Sequence, residues 1–212
     1  MIVYGSSISP FVRKVLAFAA EKGIEVESKP LGMGSDDPEF LAASPFRRIP
    51  ALQDGDFAIS DSSAIVAYLD ALKPDPVLIP SEPQARARTI WFDEFADTIL
   101  FDCGRTLFFN RLVSPRFLKR EGDLAAADKA EREQLPGILD YLERTVPDEA
   151  YLVGDQITLA DIAVASPFVN LSHIKVNLGE RPRLSAYLDR ILSRPSFKHW
   201  VDRENAFLAR AA

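Results

Sequence analysis

The sequence predicts a small mixed α/β domain followed by an all-helical domain. Three observations predict this fold class. Up to about residue 72, short apolar segments typical of strands alternate with short helical patterns. Residues 73–83 contain four prolines and have the composition of a linker. Every long pattern after the linker has helical periodicity, so we place the two domains at residues 1–76 and 84–212.

The first domain has the predicted element order β-α-β-α-β-β-α. Its strands are predicted at residues 2–4, 24–31, 50–52 and 57–59, and its helices at 10–22, 37–43 and 64–72. Gly23 ends the first helix, and Gly55 lies in the turn between the last two strands. Because a crossover unit is combined with a terminal hairpin, we expect a mixed sheet covered by helices.

The second domain is predicted to be all-α. Its helices are expected at residues 84–112, 124–146, 158–175, 181–193 and 196–210. Pro136 and Gly137 should kink or break the second of these helices, because proline removes a helical hydrogen bond and clashes with the preceding turn.

The composition fits a globular protein and argues against several functions. The chain has 212 residues, and its net charge of −6 argues against nucleic acid as a partner. The single cysteine excludes an intrachain disulfide and a Cys-rich zinc site, and two histidines leave little room for a histidine-based metal centre. No apolar run reaches the ~18 residues that a membrane span needs, and the N-terminus lacks the order of a signal peptide. We therefore expect a cytoplasmic protein that binds neither metal nor membrane.

The first candidate functional segment lies where the first strand ends and a helix begins. Pro10 is predicted at the first helical position and Ser9 at the N-cap. The unpaired N–H groups of a helix N-terminus, with about half a positive charge, can bind an anion. Arg13 and Lys14 in the first turn should deepen that positive potential. The alternative is that Ser9 only caps the helix.

The second segment is Arg48-Ile49-Pro50, just before a predicted strand. Proline removes one hydrogen bond from a strand ladder, so it belongs at a strand start or an edge. The backbone of the residue before it can then pair with an extended peptide. The alternative is an ordinary trans proline at the start of a strand.

The third segment, beginning at Asp61 and Ser62, opens another helix. The helix N–H groups and the Ser62 hydroxyl could hold a carboxylate, while Asp61 suits a neighbouring ammonium group. Together they match the two charges of an α-amino acid terminus. The alternative is again a simple helix cap.

A fourth segment is structural in our interpretation. Thr158 and Asp161 have the spacing of a capping box, with Asp in place of Glu, and Ile157 and Ile162 occupy the two positions of a hydrophobic staple.

Together these segments resemble a cytosolic glutathione transferase of the serine type, over essentially the whole chain. Ser9-Pro10-Phe11 resembles the catalytic serine stretch of the tau class, and more loosely the serine motifs of the theta and zeta classes; a bacterial class also fits. Arg48-Ile49-Pro50 resembles the cis-proline loop that pairs with the cysteinyl backbone of glutathione. Asp61-Ser62-Ser63-Ala64-Ile65 resembles the segment that holds the γ-glutamyl end. The Thr158–Asp161 box resembles the family's capping box.

The resemblance implies a thioredoxin-like first domain that takes glutathione as its co-substrate. The implied glutathione-binding residues are Phe11, Arg48, Ile49, Pro50, Asp61 and Ser62. Ser9 is the implied catalytic residue, as a hydrogen-bond donor to the glutathione sulfur, with Ser6 and Ser7 as alternative donors. A thiol has a pKa near ~8.5, and a hydroxyl donor with a helix N-terminus favours the thiolate.

The resemblance also places an electrophile pocket between the serine loop and the first long helix of the second domain. The four candidate pocket residues on that helix are Arg105, Phe108, Arg111 and Leu112. An aromatic stripe at helical spacing is more often a core or dimer contact than a ligand pocket.

We therefore expect a homodimeric glutathione transferase that joins the glutathione thiolate to a small apolar electrophile. One alternative keeps the glutathione site but uses it for isomerisation, dehalogenation or peroxide reduction. Another is a non-catalytic scaffold or binding protein of the same fold. Intact Ser9, Asp61 and Ser62 favour an enzyme. Val12 and Ser9 occupy the positions of a redox dithiol, which argues against disulfide exchange through a protein cysteine.

Overall fold

Four short strands form one mixed sheet. The computed structural model describes residues 1–31, 34–148 and 150–210. Its strands are β1 Ile2–Tyr4, β2 Glu27–Lys29, β3 Ala51–Asp54 and β4 Phe57–Ser60. Their order in the sheet is β2-β1-β3-β4, with β1 parallel to β2 and the pairs β1–β3 and β3–β4 antiparallel. The predicted mixed sheet is confirmed. Strand β2 starts later than predicted, because the Ile24 amide donates to the Ala19 carbonyl at the end of the first helix.

The first helix lies at the centre of the molecule. Three helices accompany the sheet: α1 Pro10–Glu21, α2 Pro38–Ala43 and α3 Ser62–Leu72. Helix α1 is buried without a break from Val12 to Ala19. It packs against α3 on one side and against two helices of the second half of the chain, described below as α9 and α11, on the other. The N-terminus of α1 therefore opens where the two halves of the chain meet.

The second half is helical, as predicted. Its helices are α4 Pro83–Phe95, α5 Phe101–Phe108, α6 Ser114–Phe117, α7 Leu124–Glu133, α8 Leu135–Thr145, α9 Leu159–His173, α10 Pro182–Leu192 and α11 Pro195–Arg210. Two π-helical turns join α4, α5 and α6 into one run, which extends past the predicted end at residue 112. The predicted break near Pro136 is confirmed: α7 ends at Glu133, and Pro136 lies in the first turn of α8.

The proline-rich linker is held in place by a buried lysine. Lys22 is 1% exposed, and its Nζ lies 2.6 Å from an Asp70 carboxylate oxygen. The same Nζ donates to the carbonyls of Pro74 and Pro76, at 2.9 and 2.6 Å. Leu78 then enters the core and its carbonyl accepts from the Leu159 amide. We keep the division into residues 1–76 and 84–212 as a proposal.

The capping box at the start of α9 is confirmed. The buried Asp161 carboxylate accepts hydrogen bonds from the Thr158 amide, the Leu152 amide and the Tyr187 hydroxyl, each at 2.9 Å. Burial raises the pKa of Asp161, and these hydrogen bonds oppose the rise without cancelling it. The staple residues Ile157 and Ile162 are both buried in the main core. The segment therefore fixes the start of the central helix of the second half.

Candidate active site between the two halves of the chain

A cavity of about 740 Å³ opens between the β1–α1 loop and α11. Both halves of the chain contribute to its wall. The lining residues are Ser6, Ser7, Ile8, Ser9, Ser28, Pro30, Leu31, Ile49, Val113, Phe117, Trp200, Arg203, Glu204, Ala206, Phe207 and Arg210. The serine loop predicted from the sequence is thus one wall of the cavity, and helix α11, which the sequence did not single out, is another.

The Ser9 hydroxyl is available to donate a hydrogen bond, whereas the Ser7 hydroxyl is already used. Its backbone turns the chain into α1: the Ser9 amide donates to the Ser6 carbonyl, and the Ser9 carbonyl accepts from the Arg13 amide, both at 3.0 Å. Among the described residues, the Ser9 side chain makes no capping bond to α1. By contrast, the Ser7 hydroxyl donates to the Glu204 carboxylate, and the Ser6 oxygen accepts weakly from the Ile8 amide at 3.4 Å. Ser9 therefore has a free proton beside the open N-terminus of α1.

The prediction that Arg13 and Lys14 add positive potential to this site is wrong. Their side chains are 0% and 1% exposed, and both are neutralised by carboxylates. Arg13 pairs with Glu204 at 2.6 Å, and Lys14 pairs with Asp93 at 2.7 Å and Asp97 at 2.6 Å. Both cations therefore tie α1 to the second half of the chain instead of facing a ligand.

The Arg13 pair belongs to a buried polar network beneath the serine loop. Glu204 also lies 3.0 Å from the His173 Nε2 atom. Arg13 donates to the Asn170 side-chain oxygen at 3.0 Å, and the Asn170 amide nitrogen donates to the Ile8 carbonyl at 2.8 Å. Burial raises the pKa of Glu204, but Arg13, His173 and the Ser7 hydroxyl outweigh it, so the net pKa is lowered. The ionised carboxylate and Asn170 thus hold the loop that carries Ser9.

The proline loop forms the next wall. The Ile49–Pro50 peptide is cis, as the resemblance implied, and β3 begins only at Ala51, so the Ile49 backbone lies outside the strand pairing. The Ser44 hydroxyl fixes the loop, since it donates to the Arg48 carbonyl at 2.7 Å and accepts from the Arg48 amide at 2.9 Å. A methyl group on Gly5 would lie 2.7 Å from Val12 and 3.0 Å from Ile49, so this close packing requires glycine.

The start of α3 is a helix cap formed by an exposed aspartate. The Asp61 carboxylate accepts from the Ser63 and Ala64 amides at 2.9 and 3.0 Å, so it caps the helix. Asp61 is nevertheless exposed and holds a positive φ of 90°, a strained conformation for a residue with a side chain. Ser62 is buried and its hydroxyl lies 3.4 Å from an Asp97 oxygen.

Asp97 was not predicted from the sequence. Burial raises its pKa, the Lys14 charge lowers it and Asp93 raises it again, with a net rise. Asp93 and Asp97 are four residues apart and so share one face of a helical run, which is the only sequence signal that could have found them.

The residues predicted for the electrophile pocket lie elsewhere. In the described part of the chain, none of the four belongs to the cavity lining. Phe108 and Leu112 pack with Leu208 in a small core cluster behind the wall. Arg111 pairs with Asp128 and Glu131 on α7, and Arg105 is exposed.

The aromatic side chains that line the cavity are Phe117, Trp200 and Phe207, and none of them lies on α5. Helical periodicity predicted an apolar stripe on α5 but does not show whether that stripe packs into the core or lines a cavity.

Packing also fixes the places of Phe11 and Cys103. Phe11 packs on Phe101 with ring centroids 4.4 Å apart, so it joins the two halves beside the serine loop. Cys103 is buried, and burial followed by the Glu131 charge raises its thiol pKa to about 11, as expected of an unreactive core cysteine.

Over residues 1–31, 34–148 and 150–210, the side chains form no group of three or more His, Cys, Asp or Glu placed to hold a metal ion. No helix in the same ranges is long and apolar enough to span a membrane.

Comparison with known proteins agrees with this arrangement. Residues 3–77 match the N-terminal domain of glutathione S-transferases, and residues 106–195 match their C-terminal domain. A glutathione S-transferase of Hyoscyamus muticus is 30% identical, with 95% of this chain and 98% of the relative covered. Glutathione S-transferase 3 of Zea mays is 31% identical, with coverages of 94% and 92%.

A solved structure shares the whole fold. The theta-class glutathione S-transferase of Xanthomonas axonopodis pv. citri with glutathione bound is 28% identical, with a TM-score of 0.82 over 94% of this chain and 96% of that one. With both halves of the chain matched and the serine loop at their junction, the protein belongs to the glutathione transferase family.

Proposed function

We propose that the protein conjugates glutathione to small apolar electrophiles and that Ser9 stabilises the reacting thiolate. The observation that supports this most directly is the Ser9 hydroxyl, which lies at the N-terminus of α1, lines the cavity and makes no capping bond to its helix among the described residues. Family membership supports glutathione as the co-substrate.

In this reaction Ser9 acts as a hydrogen-bond donor and not as the nucleophile. The glutathione sulfur attacks the electrophile, and the thiol proton leaves to solvent. At neutral pH a thiol with a pKa near ~8.5 is mostly protonated. Lowering that pKa by roughly two units takes about 2.7 kcal/mol, which a charge-assisted hydrogen bond and the α1 dipole can supply together.

Glutathione would extend from the cavity wall at Ile49 towards the start of α3, which lies outside the cavity lining. We propose that the free Ile49 backbone pairs with the cysteinyl unit, next to cis-Pro50. The exposed Asp61 carboxylate suits the γ-glutamyl ammonium, and Ser62 at the first position of α3 suits its carboxylate. Exposed Arg48 is the candidate for the glycyl carboxylate, and Phe11 supports the loop from behind.

The proposal includes a homodimer and a cytoplasmic location. Several large apolar side chains outside the cavity are exposed: Phe46 is 86% exposed, Trp91 50%, Ile99 47% and Ile90 40%. Phe46 projects from the loop that Ser44 fixes, so it is presented in a defined position. A second copy of the chain would remove these surfaces from water. Sedimentation of wild type and Phe46→Ser tests this, and a monomeric wild type contradicts it.

The function is tested by calorimetric titration with glutathione together with conjugation of 1-chloro-2,4-dinitrobenzene. Cysteinylglycine, which lacks the γ-glutamyl group, is the matched ligand control. We expect glutathione to bind, cysteinylglycine to bind at least tenfold more weakly, and conjugation to follow saturation with glutathione. Absence of glutathione binding supports the scaffold alternative. Glutathione binding without conjugation, but with peroxide reduction, isomerisation or dehalogenation, supports the alternative chemistries.

A further inference from the structure

The cavity has one face that the proposed conjugation does not by itself explain. Besides Ala206, five residues of α11 line it: Trp200, Arg203, Glu204, Phe207 and Arg210. Their spacings of three, four, seven and ten residues from Trp200 place them along one side of the helix. This face alternates aromatic rings with charged groups, an unusual pattern for a site that takes only apolar molecules.

The charge of this face is positive. Glu204 is already neutralised by Arg13, with 2.6 Å between the closest atoms, and its carboxylate also accepts from His173 and Ser7. Within the described ranges, Arg203 and Arg210 have no carboxylate within ion-pair distance. Among the described residues, a chain with a net charge of −6 thus presents two cations without a carboxylate partner to this cavity.

The aromatic groups on this face form flat surfaces. The Phe117 and Phe207 rings are stacked, with centroids 5.8 Å apart and an interplanar angle of 13°. The Arg203 guanidinium lies 5.4 Å from the centroid of the Trp200 ring, which orients its charge. Phe207 is 50% exposed, so its ring can extend a stack onto a ligand. The cavity therefore has flat aromatic rings next to a guanidinium group that the Trp200 ring keeps in place.

We infer that the cavity selects planar aromatic electrophiles that carry an acidic group, with the ring on Phe117 and Phe207 and the acid held by Arg203 and Arg210. The inference rests on the proposed function, because it names the second substrate of that reaction. For an activated aryl chloride, the glutathione sulfur forms a bond to the ring carbon. The carbon–chlorine bond breaks, chloride leaves with the electron pair, and the thiol proton goes to solvent.

The test compares 4-chloro-3,5-dinitrobenzoate with its uncharged carboxamide in the conjugation reaction. Both have the same leaving group and nearly the same shape. Because the carboxamide activates the ring more than the carboxylate does, each kcat/KM is divided by the rate constant of the uncatalysed reaction with glutathione, and these normalised values are compared. At low salt we expect wild type to show a kcat/KM about tenfold higher for the acid, since two exposed cations each contribute up to about fivefold. This preference should shrink as salt is added, because exposed charges are screened. Equal kcat/KM values for acid and amide would overturn the inference while leaving the conjugation itself in place.

Arginine variants assign the preference to this face. The variant Arg203→Met/Arg210→Met should lower the ratio of kcat/KM for the acid to kcat/KM for the amide about tenfold. Arg203→Lys, which keeps the charge, should retain most of the preference. Arg144→Met, which removes one exposed cation on α8 outside the cavity lining, is the control for net charge. If the double variant raises KM for glutathione equally with both electrophiles, these arginines hold glutathione and the inference is wrong.

Binding without glutathione separates this inference from the proposed function. The probes are 3,5-dinitrobenzoate and 3,5-dinitrobenzamide, which lack the leaving group, titrated into the full chain by calorimetry. Tighter binding of the acid, lost in the double variant, supports the anion-selective cavity even if no electrophile is conjugated. Equal binding of acid and amide contradicts it even if conjugation is efficient.

Discussion

Arg13 of α1 and Glu204 of α11 form a two-point ion pair across the junction of the two halves. The Nε–Oε1 distance is 3.1 Å and the Nη2–Oε2 distance is 2.6 Å. The side chains are 0% and 1% exposed. Because Glu204 also accepts from Ser7, this pair connects the anchoring of the second half to the position of the serine loop.

Glu204→Gln should destabilise the fold strongly. The substitution leaves the Arg13 guanidinium buried without its counter-charge, and breaking one side of a buried pair costs about 3–5 kcal/mol. The measurement is the free energy of unfolding in urea. Asp202→Asn is the matched control, because Asp202 forms an exposed pair with Lys198 on the same helix and should change stability by less than about 0.5 kcal/mol. Equal effects of the two substitutions would show that the buried pair contributes no more to the free energy of unfolding than the exposed pair does.

The lowered pKa of Glu204 predicts loss of stability in acid. A carboxyl whose folded pKa lies below its unfolded value of 4.5 stabilises the fold above 4.5 and loses that contribution as the pH falls through the folded pKa. Wild type should therefore lose stability more steeply than Glu204→Gln as the pH falls below about 5. Urea unfolding at a series of pH values between neutrality and acid checks this. Parallel stability curves for the two proteins would contradict it.

Asn170→Ala should slow conjugation because it loosens the β1–α1 loop that carries Ser9. The Asn170 amide holds the Ile8 carbonyl, one residue from Ser9, and its loss leaves a partly buried carbonyl without this partner at a cost of about 1 kcal/mol. We expect kcat to fall roughly tenfold, with a smaller change in KM for glutathione, because a misplaced donor fails in the transition state. The control is Ser172→Ala on the same helix, whose hydroxyl donates only to the Val169 carbonyl. An unchanged kcat in Asn170→Ala refutes the positioning role.

Asp161→Ala should damage folding and leave glutathione binding intact. The carboxylate accepts from two backbone amides and the Tyr187 hydroxyl, so its removal leaves several buried donors unpaired. A loss of about 2–4 kcal/mol in unfolding free energy is expected. The folded fraction should bind glutathione with wild-type affinity in calorimetry. A variant of normal stability that has lost activity would show that Asp161 is functional instead.

Local signals in the sequence predicted local structure well. The Gly55 turn gives the β3–β4 hairpin, and the Thr158–Asp161 spacing gives the start of α9, because both depend on residues a few positions apart. The three candidate segments also fell at the predicted element boundaries.

Long-range relationships were not predictable in the same way. Arg13 at the start of a helix indicates an exposed cation, but its partner lies 191 residues away. Likewise, the apolar stripe with Phe108 fits either a cavity or a core, and only packing against Leu208 decides for the core. Helix α11 has an ordinary amphipathic pattern, so its place beside the serine loop follows from the tertiary fold alone.

In the proposed function Ser9 lowers the thiol pKa of bound glutathione, and titration of the bound thiol decides whether it does. Ultraviolet absorbance of the thiolate is followed against pH in wild type and in Ser9→Ala, with Ser6→Ala and Ser7→Ala as matched controls from the same loop. We predict that only Ser9→Ala returns the thiol pKa towards its solution value, by roughly two units, while glutathione still binds. A depressed thiol pKa that survives in Ser9→Ala, or one that is lost in Ser6→Ala or Ser7→Ala instead, would contradict the assignment of Ser9.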